Sequence, residues 1–268
     1  QVFRFVIPTL IVGNGVILKH ASNVQGCAKE IESCLLEAGF PDYIFKNISI
    51  TSENVVKVIK NPLISAITLT GSTPAGRSVA KTAGKLLKKT VLELGGNDPY
   101  IVLADADIDN AIKSCIDGRI LNTGQSCISA KRIIVVRKIH KHFVKKLVDE
   151  LSVKIMGDPM DDVDIGPMVS IGSREEVHEQ VISTIKSGGR LVMGGEIPSF
   201  QGAYYPITII DEVKPGMTAF DDEIFGPVFS VIIANDEEHA VNLANDTSFG
   251  LGAAIFTKDI FKGETIAK

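Results

Sequence analysis

The stretch that decides the fold is residues 66–96, AITLTGSTPAGRSVAKTAGKLLKKTVLELGG. Its first five residues form a short β-rich run, and the next four, GSTP, open a helical pattern that reaches about Leu87. A second β-rich run, Thr90 to Leu94, ends in two glycines. A strand, a helix and a second strand in this order are typical of a parallel β-α-β unit that is covered on both faces.

The alternation of short strands and helices continues on both sides of this stretch. Further strand patterns lie at residues 12–19, 43–50, 100–103, 132–137, 190–193, 228–234 and 252–257. Helical patterns stand between most of them, and no internal repeat or low-complexity segment interrupts the series. We therefore predict an α/β fold with two domains, residues 1–94 and residues 95–268.

The composition is that of a globular protein: 268 residues, 45% hydrophobic and 22% charged. A net charge of −4 with scattered basic residues predicts no nucleic-acid partner and no acidic membrane surface. No apolar run reaches the ~18 residues of a membrane span. The four cysteines are too few for a disulfide framework and lack the paired spacing of zinc sites, which indicates a reducing, cytoplasmic compartment. The five histidines lack the spacing of metal ligands, so we predict no metal site.

Cys127 is a candidate nucleophile because it follows a polar, glycine-containing loop, Asn122 to Ser126. A thiol attacks a carbonyl only as the thiolate, and backbone N–H groups near a helix end or in a loop stabilise that charge. The alternative role is that of a small buried apolar residue, the usual role of a free cysteine. For Cys27, Cys34 and Cys115, which lie in helical patterns beside aliphatic residues, we predict this buried role.

Other residues at strand ends are candidates for catalysis or binding. Glu93 is a carboxylate at the end of an otherwise apolar strand, which suits a general base, although a strand-terminal Glu could equally face solvent. Gly71 and Ser72 lie where a strand gives way to a helix, whose N-terminus would attract a phosphate. Lys19 ends another strand, at the edge where α/β sheets bind ligands, and is otherwise a solvated end. The G-x-G-x-x-G fingerprint of dinucleotide sites is absent.

Six motifs in a fixed order carry a resemblance to a known family. They are GNGVILK at 13–19, TGS at 70–72, ELGG at 93–96, GQSC at 124–127, EIFGPV at 223–228, and NDT at 245–247 with FGL at 249–251. In this order, over nearly the whole chain, they resemble the aldehyde dehydrogenase superfamily. Segments 19–21, 86–89, 98–99 and 130–132 are most similar to its succinate-semialdehyde dehydrogenase branch.

The resemblance implies part of a Rossmann-like NAD(P)-binding domain in residues 1–94 and an α/β catalytic domain in residues 95–268. It implies oxidation of an aldehyde, succinate semialdehyde or a similar semialdehyde, to the acid. Cys127 would form a thiohemiacetal and then a thioester, which Glu93 would hydrolyse by activating water. Implied cofactor-binding residues are Lys19, Ser22, Gly71, Ser72, Leu94, Glu223 and Phe225. A homo-oligomer, dimer or tetramer, is implied as well.

Two positions bear on specificity. NAD-preferring members often carry Glu three positions after the ribose lysine, where this chain has Ser22, so the resemblance favours NADP slightly. Some succinate-semialdehyde dehydrogenases place an Arg six residues before the nucleophile to bind the substrate carboxylate, and here that position is Leu121. Arg119 is two residues away, and we expect its side chain to point elsewhere.

The chain also departs from the family pattern at its ends. It begins at Gln1, just after the segment that holds the family's oxyanion-binding Asn, and it contains no Trp. We therefore expect an internal fragment of a longer enzyme. Two alternatives remain open: a catalytically incompetent fragment or remnant that keeps the fold and part of the cofactor groove, and a cysteine-dependent relative that forms or reduces acyl phosphates. The ELGG motif argues against the second, since acyl-phosphate reduction needs no water-activating base.

Overall fold

The computed structural model describes all 268 residues, which form two compact units, Gln1–Leu94 and Gly95–Lys268. We call them unit 1 and unit 2. Both are built of parallel strands and helices, so the predicted α/β class is confirmed. No helix is long and apolar enough to cross a membrane.

Unit 1 consists of two separate pairs of parallel strands with helices packed beside them. Its elements are α1 (Val2–Ile11), β1 (Val16–Leu18), α2 (Gln25–Glu37), β2 (Phe45–Asn47), α3 (Val55–Lys60), β3 (Ala66–Thr70), α4 (Thr73–Gly84) and β4 (Lys89–Glu93). Strand β1 pairs with β2, and β3 pairs with β4 in a register that sets Thr70 opposite Glu93. A small apolar cluster joins α1, α2 and the first strand pair.

Unit 2 is a six-stranded sheet with helices on both faces. Its elements are β5 (Pro99–Val102), α5 (Ile108–Ile120), β6 (Arg132–Val136), α6 (Arg137–Leu151), α7 (Ile171–Lys186), β7 (Arg190–Met193), β8 (Thr208–Val213), α8 (Thr218–Asp221), β9 (Val228–Ala234), α9 (Glu237–Asn245), β10 (Ala254–Phe256) and α10 (Ile260–Ala267). The strand order is β10-β5-β6-β9-β8-β7, and all neighbours are parallel except β7 and β8.

Strand β6 shows why this sheet is buried on both sides. Its side chains alternate between the two apolar clusters of unit 2, with Ile134 and Val136 in one and Ile133 and Val135 in the other. A strand that is covered on both faces reads as a continuous apolar run, as the four residues IIVV after Arg132 do.

The prediction that three cysteines are buried is right for one and wrong for two. Cys115 is fully buried in unit 2, and burial raises the pKa of its thiol. Cys27 and Cys34 are exposed. Helix α2 buries Ala28 and Leu35, one residue further along in each case, and one residue turns a helix by about 100°, which carries both cysteines off the apolar face.

Candidate active site

The carboxyl ends of β3 and β4 bring three predicted site residues of unit 1 together. The N–H of Gly71 donates to the carbonyl of Glu93 at 3.0 Å, which joins the start of one loop to the end of the other strand. Ser72 is the N-cap of α4, and its hydroxyl accepts from the N–H of Ala75 at 3.4 Å. The first turn of α4 therefore presents N–H groups and the positive end of the helix dipole at this edge.

The Glu93 side chain is partly exposed at this edge. Its nearest cation is Arg4, whose guanidinium is 3.8 Å from the carboxylate and is itself largely exposed. An ion pair of this length between exposed groups contributes little to stability, so Arg4 holds the Glu93 carboxylate only weakly.

Leu94, a predicted cofactor-binding residue, packs on the helix of the same β-α-β unit. A Cβ added to Gly76 of α4 would lie 2.5 Å from the Leu94 side chain. The missing side chain at Gly76 therefore lets the end of β4 come close to the helix.

Lys19 and Ser22 lie together, beyond the end of β1 in the other strand pair of unit 1. Lys19 is partly buried, and Ser22 is exposed at the start of a short 3₁₀ turn, Ser22–Val24, that leads into α2. The structure thus leaves the Ser22 position open to solvent and free of an acidic side chain.

In unit 2 the loop that carries Cys127 has an unusual backbone. Asn122 and Thr123 have positive φ angles of 53° and 56°, and Gly124 follows at 72°. The Asn122 side chain donates to the carbonyl of Gln125 at 3.0 Å, and the Gln125 side chain donates back to the carbonyl of Asn122 at 3.1 Å. These paired bonds hold a conformation that non-glycine residues seldom adopt, so Cys127 follows a turn that is fixed by its own side chains.

Three family motifs meet around this loop, and glycines allow them to do so. A Cβ at Gly124 would lie 2.3 Å from the carbonyl oxygen of Gly226. A Cβ at Gly95 would lie 2.3 Å from a carboxylate oxygen of Glu223, and one at Gly96 would lie 2.6 Å from the carbonyl oxygen of Cys127. At Gly96 and Gly124 the close atom belongs to the backbone, so each of these glycines marks a close approach of two backbone segments, whereas at Gly95 it is the end of the Glu223 side chain.

Lys131 joins two of these motifs and was not singled out by the sequence. Its side chain is 2% exposed, and its ammonium donates to the carbonyls of Ser126 and Cys127 at 2.9 and 2.7 Å. It also lies 3.1 Å from Oε1 of Glu223. Burial lowers the pKa of Lys131, and the negative charge of Glu223 opposes that shift.

Arg119 contacts the same loop from the interior of unit 2, through Ser129. Its guanidinium is fully buried and donates to the carbonyls of Val228 and Ile224 at 2.6 and 2.8 Å and to the hydroxyl of Ser129. Burial lowers the pKa of Arg119 to about 9. The Arg119 side chain thus points into the interior of unit 2, where each of its three guanidinium nitrogens donates to a protein oxygen.

Phe225 and Leu121 are the open positions of the site in unit 2. The Phe225 ring is 43% exposed although its neighbours Ile224 and Gly226 are buried, and Leu121 is 65% exposed. Large apolar groups exposed beside a rigid polar loop are suited to contact a ligand. No group of His, Cys, Asp and Glu side chains has an arrangement that could hold a metal ion.

Comparison with known proteins places this geometry in a family. The model of the aldehyde dehydrogenase family matches residues 1–268. The succinate semialdehyde dehydrogenase [NAD(P)+] Sad of Escherichia coli K12 is 46% identical over 260 residues, which are 97% of this chain and 56% of that protein. Succinate-semialdehyde dehydrogenase [NADP(+)] 1 of Mycobacterium tuberculosis H37Rv is 43% identical over 97% of this chain and 57% of its own length.

Solved structures have the same fold. Succinic semialdehyde dehydrogenase from Streptococcus pyogenes, solved with NADP+ as cofactor, superposes with a TM-score of 0.97 at 37% identity, over all of this chain and 59% of its own. Lactaldehyde dehydrogenase from Escherichia coli superposes with a TM-score of 0.96 at 31% identity, over 99% and 56%. The chain thus spans little more than half the length of the proteins it matches, and within that span it belongs to the aldehyde dehydrogenase family.

Proposed function

We propose that this chain carries the nucleophile, the general base and much of the cofactor site of an NAD(P)-dependent aldehyde dehydrogenase that oxidises succinate semialdehyde or a similar semialdehyde. The observation that carries the proposal is the meeting of the Cys127 loop with Gly96 and Glu223. The family model matches the whole chain, and two of the relatives named above are named for succinate semialdehyde and NADP+.

The residues present fit a dinucleotide. Helix α4 begins directly at the end of β3, and its cap Ser72 is exposed, so its first turn can receive the pyrophosphate. Lys19 would bind the adenine ribose, and Glu223 would bind the nicotinamide ribose with Phe225 beside it. The absence of a carboxylate at Ser22 favours NADP over NAD, because nothing there repels a 2′-phosphate. The nicotinamide, when bound, supplies the hydride acceptor that no side chain can provide.

The covalent chemistry would use two residues in turn. The Cys127 thiolate would attack the aldehyde carbon, and the carbonyl oxygen would become an oxyanion held by the N–H of Cys127. Loss of hydride would leave a thioester on Cys127. Glu93 would take a proton from water, and the resulting attack on the thioester would release the carboxylic acid and the free thiol. Aldehyde, water and oxidised cofactor would thus give acid, reduced cofactor and a proton.

The substrate carboxylate would need an anchor other than Arg119, whose guanidinium is occupied by Val228, Ile224 and Ser129. Comparing kcat/KM for succinate semialdehyde with that for butanal, which has the same number of carbons and no carboxylate, tests the substrate class. We expect the semialdehyde to be preferred. Equal values for the two would sink the semialdehyde assignment while leaving the dehydrogenase intact.

The first test of the function is Cys127→Ala in a protein of full family length that contains this chain. We expect loss of aldehyde-dependent NADP reduction by more than about 10³-fold, because no other thiol stands in the loop. Cofactor binding, measured by calorimetry, should persist. Cys34→Ala, an exposed thiol on α2, is the matched control and should retain activity. Retained turnover in Cys127→Ala would overturn the nucleophile assignment.

The second test is Glu93→Gln in the same protein. We expect the first turnover of reduced cofactor to appear as a burst, followed by a steady rate about 10²-fold below wild type, because general-base catalysis by one residue is worth about that much. Stopped-flow absorbance of the reduced cofactor measures both phases. A variant that loses the burst together with the steady rate would contradict a role in hydrolysis alone.

We also propose that the enzyme is cytoplasmic and forms a homo-oligomer, a dimer or a tetramer. The mass of the native protein in solution tests the oligomeric state.

A further inference from the structure

We propose that Lys131 is a positioning residue that ties the nucleophile loop to the ribose-binding carboxylate, so that the direction of the Cys127 N–H and the orientation of Glu223 are set by one ammonium group. The inference rests on the proposed function, because it takes Cys127 as the nucleophile and Glu223 as a cofactor contact. Lys131 touches neither substrate nor cofactor in this scheme and acts through its two neighbours.

The first support is the completeness of the Lys131 contacts. An ammonium has three N–H donors, and here three acceptors surround it: the carbonyls of Ser126 and Cys127 and Oε1 of Glu223. The side chain is 2% exposed, so water does not compete for these donors. A buried charge with every donor used holds its neighbours in one geometry, because moving any of them would leave a buried charge unpaired.

The second support is the geometry of the peptide that joins Ser126 to Cys127. The chain contains no cis peptide, and in a trans peptide the C=O of one residue and the N–H of the next point in opposite directions. The Ser126 carbonyl accepts from the Lys131 ammonium at 2.9 Å and, over the longer distance of 3.3 Å, from the N–H of Ser129. The Cys127 N–H, the proposed donor to the oxyanion, is therefore aimed away from Lys131 as long as this bond is made.

The third support lies at Glu223. Its Oε1 receives both the Lys131 ammonium at 3.1 Å and the N–H of Gly96 at 3.3 Å. Oε2 receives no hydrogen bond from the protein, and the nearest backbone beside it is Gly95, which has no side chain to block it. One oxygen is thus held by the protein and the other is available for a hydroxyl of a ligand, which is the arrangement that a ribose contact requires.

A purely structural role for Lys131 makes different predictions. If the ammonium only satisfied buried carbonyls, its loss would lower the fraction of folded protein and would lower kcat in proportion, with both KM values unchanged. A positioning role changes the KM of the cofactor and the reactivity of Cys127 in the protein that is folded.

The experiment compares Lys131→Met, Lys131→Gln and the control Lys146→Met in the full-length protein. Lys146 is a surface lysine on α6 that pairs with exposed Asp109, so its loss should change nothing measured here. The measurements are kcat, the KM of NADP and of the aldehyde, the thermal midpoint, and the rate of Cys127 alkylation by iodoacetamide with and without NADP. Mass spectrometry assigns the alkylation to Cys127 and separates it from the exposed thiols Cys27 and Cys34.

For Lys131→Met we expect kcat to fall by about 10- to 100-fold, the cost of misplacing a reacting group by about 1 Å. The KM of NADP should rise while the KM of the aldehyde changes little. We expect NADP to change the alkylation rate of Cys127 in the wild type and to leave it unchanged in this variant. Lys131→Gln keeps hydrogen-bond donors without the charge. We expect its Cys127 alkylation rate to lie between those of Lys131→Met and the wild type, and its KM of NADP to stay raised. If Lys131→Met does not fold, Lys131→Gln alone tests the inference.

Wild-type values for the KM of NADP and for alkylation in folded Lys131→Gln or Lys131→Met would overturn the inference and leave the proposed function standing. A wild-type protein without aldehyde-dependent NADP reduction would instead overturn the proposed function and the inference together. The two failures are therefore distinguishable by the wild-type control.

Discussion

The two units of this chain bury their parallel strands very differently. All five residues of β6 in unit 2 are buried, whereas β3 in unit 1 has two exposed ends and three partly buried residues between them. The apolar clusters of unit 2 cover both faces of a six-stranded sheet, while unit 1 has one small cluster around β1 and β2.

The difference separates two kinds of site. In unit 2 two buried charged residues, Arg119 and Lys131, hold the loop that carries Cys127 by donating hydrogen bonds to backbone carbonyls. Unit 1 presents its proposed cofactor residues, Ser22 and Ser72, on exposed turns at the ends of short strands. A substitution in the buried frame should therefore cost stability, and one on the exposed turns should change ligand selection at little cost in stability.

The largest effect is expected from Arg119→Met. Removing the guanidinium leaves the carbonyls of Val228 and Ile224 without donors inside unit 2, which should lower the free energy of unfolding by about 3–5 kcal/mol. The measurement is the urea dependence of Cys115 labelling, since this thiol is fully buried in unit 2 and reacts only when the unit opens.

The control for this variant is Arg137→Met. Arg137 is exposed and donates only to the Asn235 side chain, so we expect a change within about 0.5 kcal/mol. Similar urea midpoints for the two variants would show that unit 2 does not depend on its buried charges, and the contrast between the units would fail.

A smaller, pH-dependent effect is expected at Asp211, a buried carboxylate of β8. Burial alone would raise the pKa of Asp211, but hydrogen bonds from His140 at 2.7 Å and from the Glu212 N–H, with the charge of Arg190, hold it below the ordinary 3.8. A depressed pKa contributes stability that is present above about pH 3.8 and is lost as the pH falls through the folded value.

Asp211→Asn should therefore lower the free energy of unfolding by about 1–3 kcal/mol at pH 7, with a difference from wild type that shrinks toward pH 3. Urea unfolding followed by circular dichroism at several pH values measures it. The neighbouring Glu212→Gln, on a half-exposed carboxylate, serves as control and should have little effect. A difference from wild type that stays constant with pH would contradict the assignment.

The smallest effect is expected in unit 1, where Ser22→Glu should lower kcat/KM for NADP relative to NAD by about tenfold through repulsion of the 2′-phosphate. Stability should not change, because Ser22 is exposed. Ser52→Glu is the matched control, since Ser52 also begins a short exposed 3₁₀ turn in unit 1, Ser52–Asn54. An unchanged ratio in the Ser22 variant would remove the argument for NADP.

Local patterns predicted the β-α-β stretch well. The strand at 66–70 has the predicted bounds, α4 is shorter than predicted at both ends, and the second strand begins and ends one residue early. Strand runs, a Ser cap and a first-turn Pro are short-range signals, and they are visible in sequence. The family motifs likewise singled out Cys127, Glu93 and Glu223.

Two features escaped the sequence because they depend on contacts between distant segments. Helical spacing alone does not say which of two adjacent stripes on α2 faces the core, so Cys27 and Cys34 were assigned to the wrong one. Lys131 is an ordinary lysine in sequence, and only the approach of Glu223 gives it a role. The available signals were its place in the branch-like segment 130–132 and its charge directly before a fully buried strand, and neither indicates a contact with Glu223.

The glycine contacts around Cys127 determine where this scaffold can accept new specificity. A side chain at Gly96 or Gly124 would collide with the backbone of Cys127 or of Gly226, whereas one at Gly95 would have to displace the Glu223 carboxylate. The exposed apolar side chains of Leu121, Ile128 and Phe225 carry no such constraint. A library that aims to redirect the proposed aldehyde preference should therefore randomise Leu121 and Ile128, and should keep Phe225, which we propose lies beside the nicotinamide ribose, together with Gly96 and Gly124.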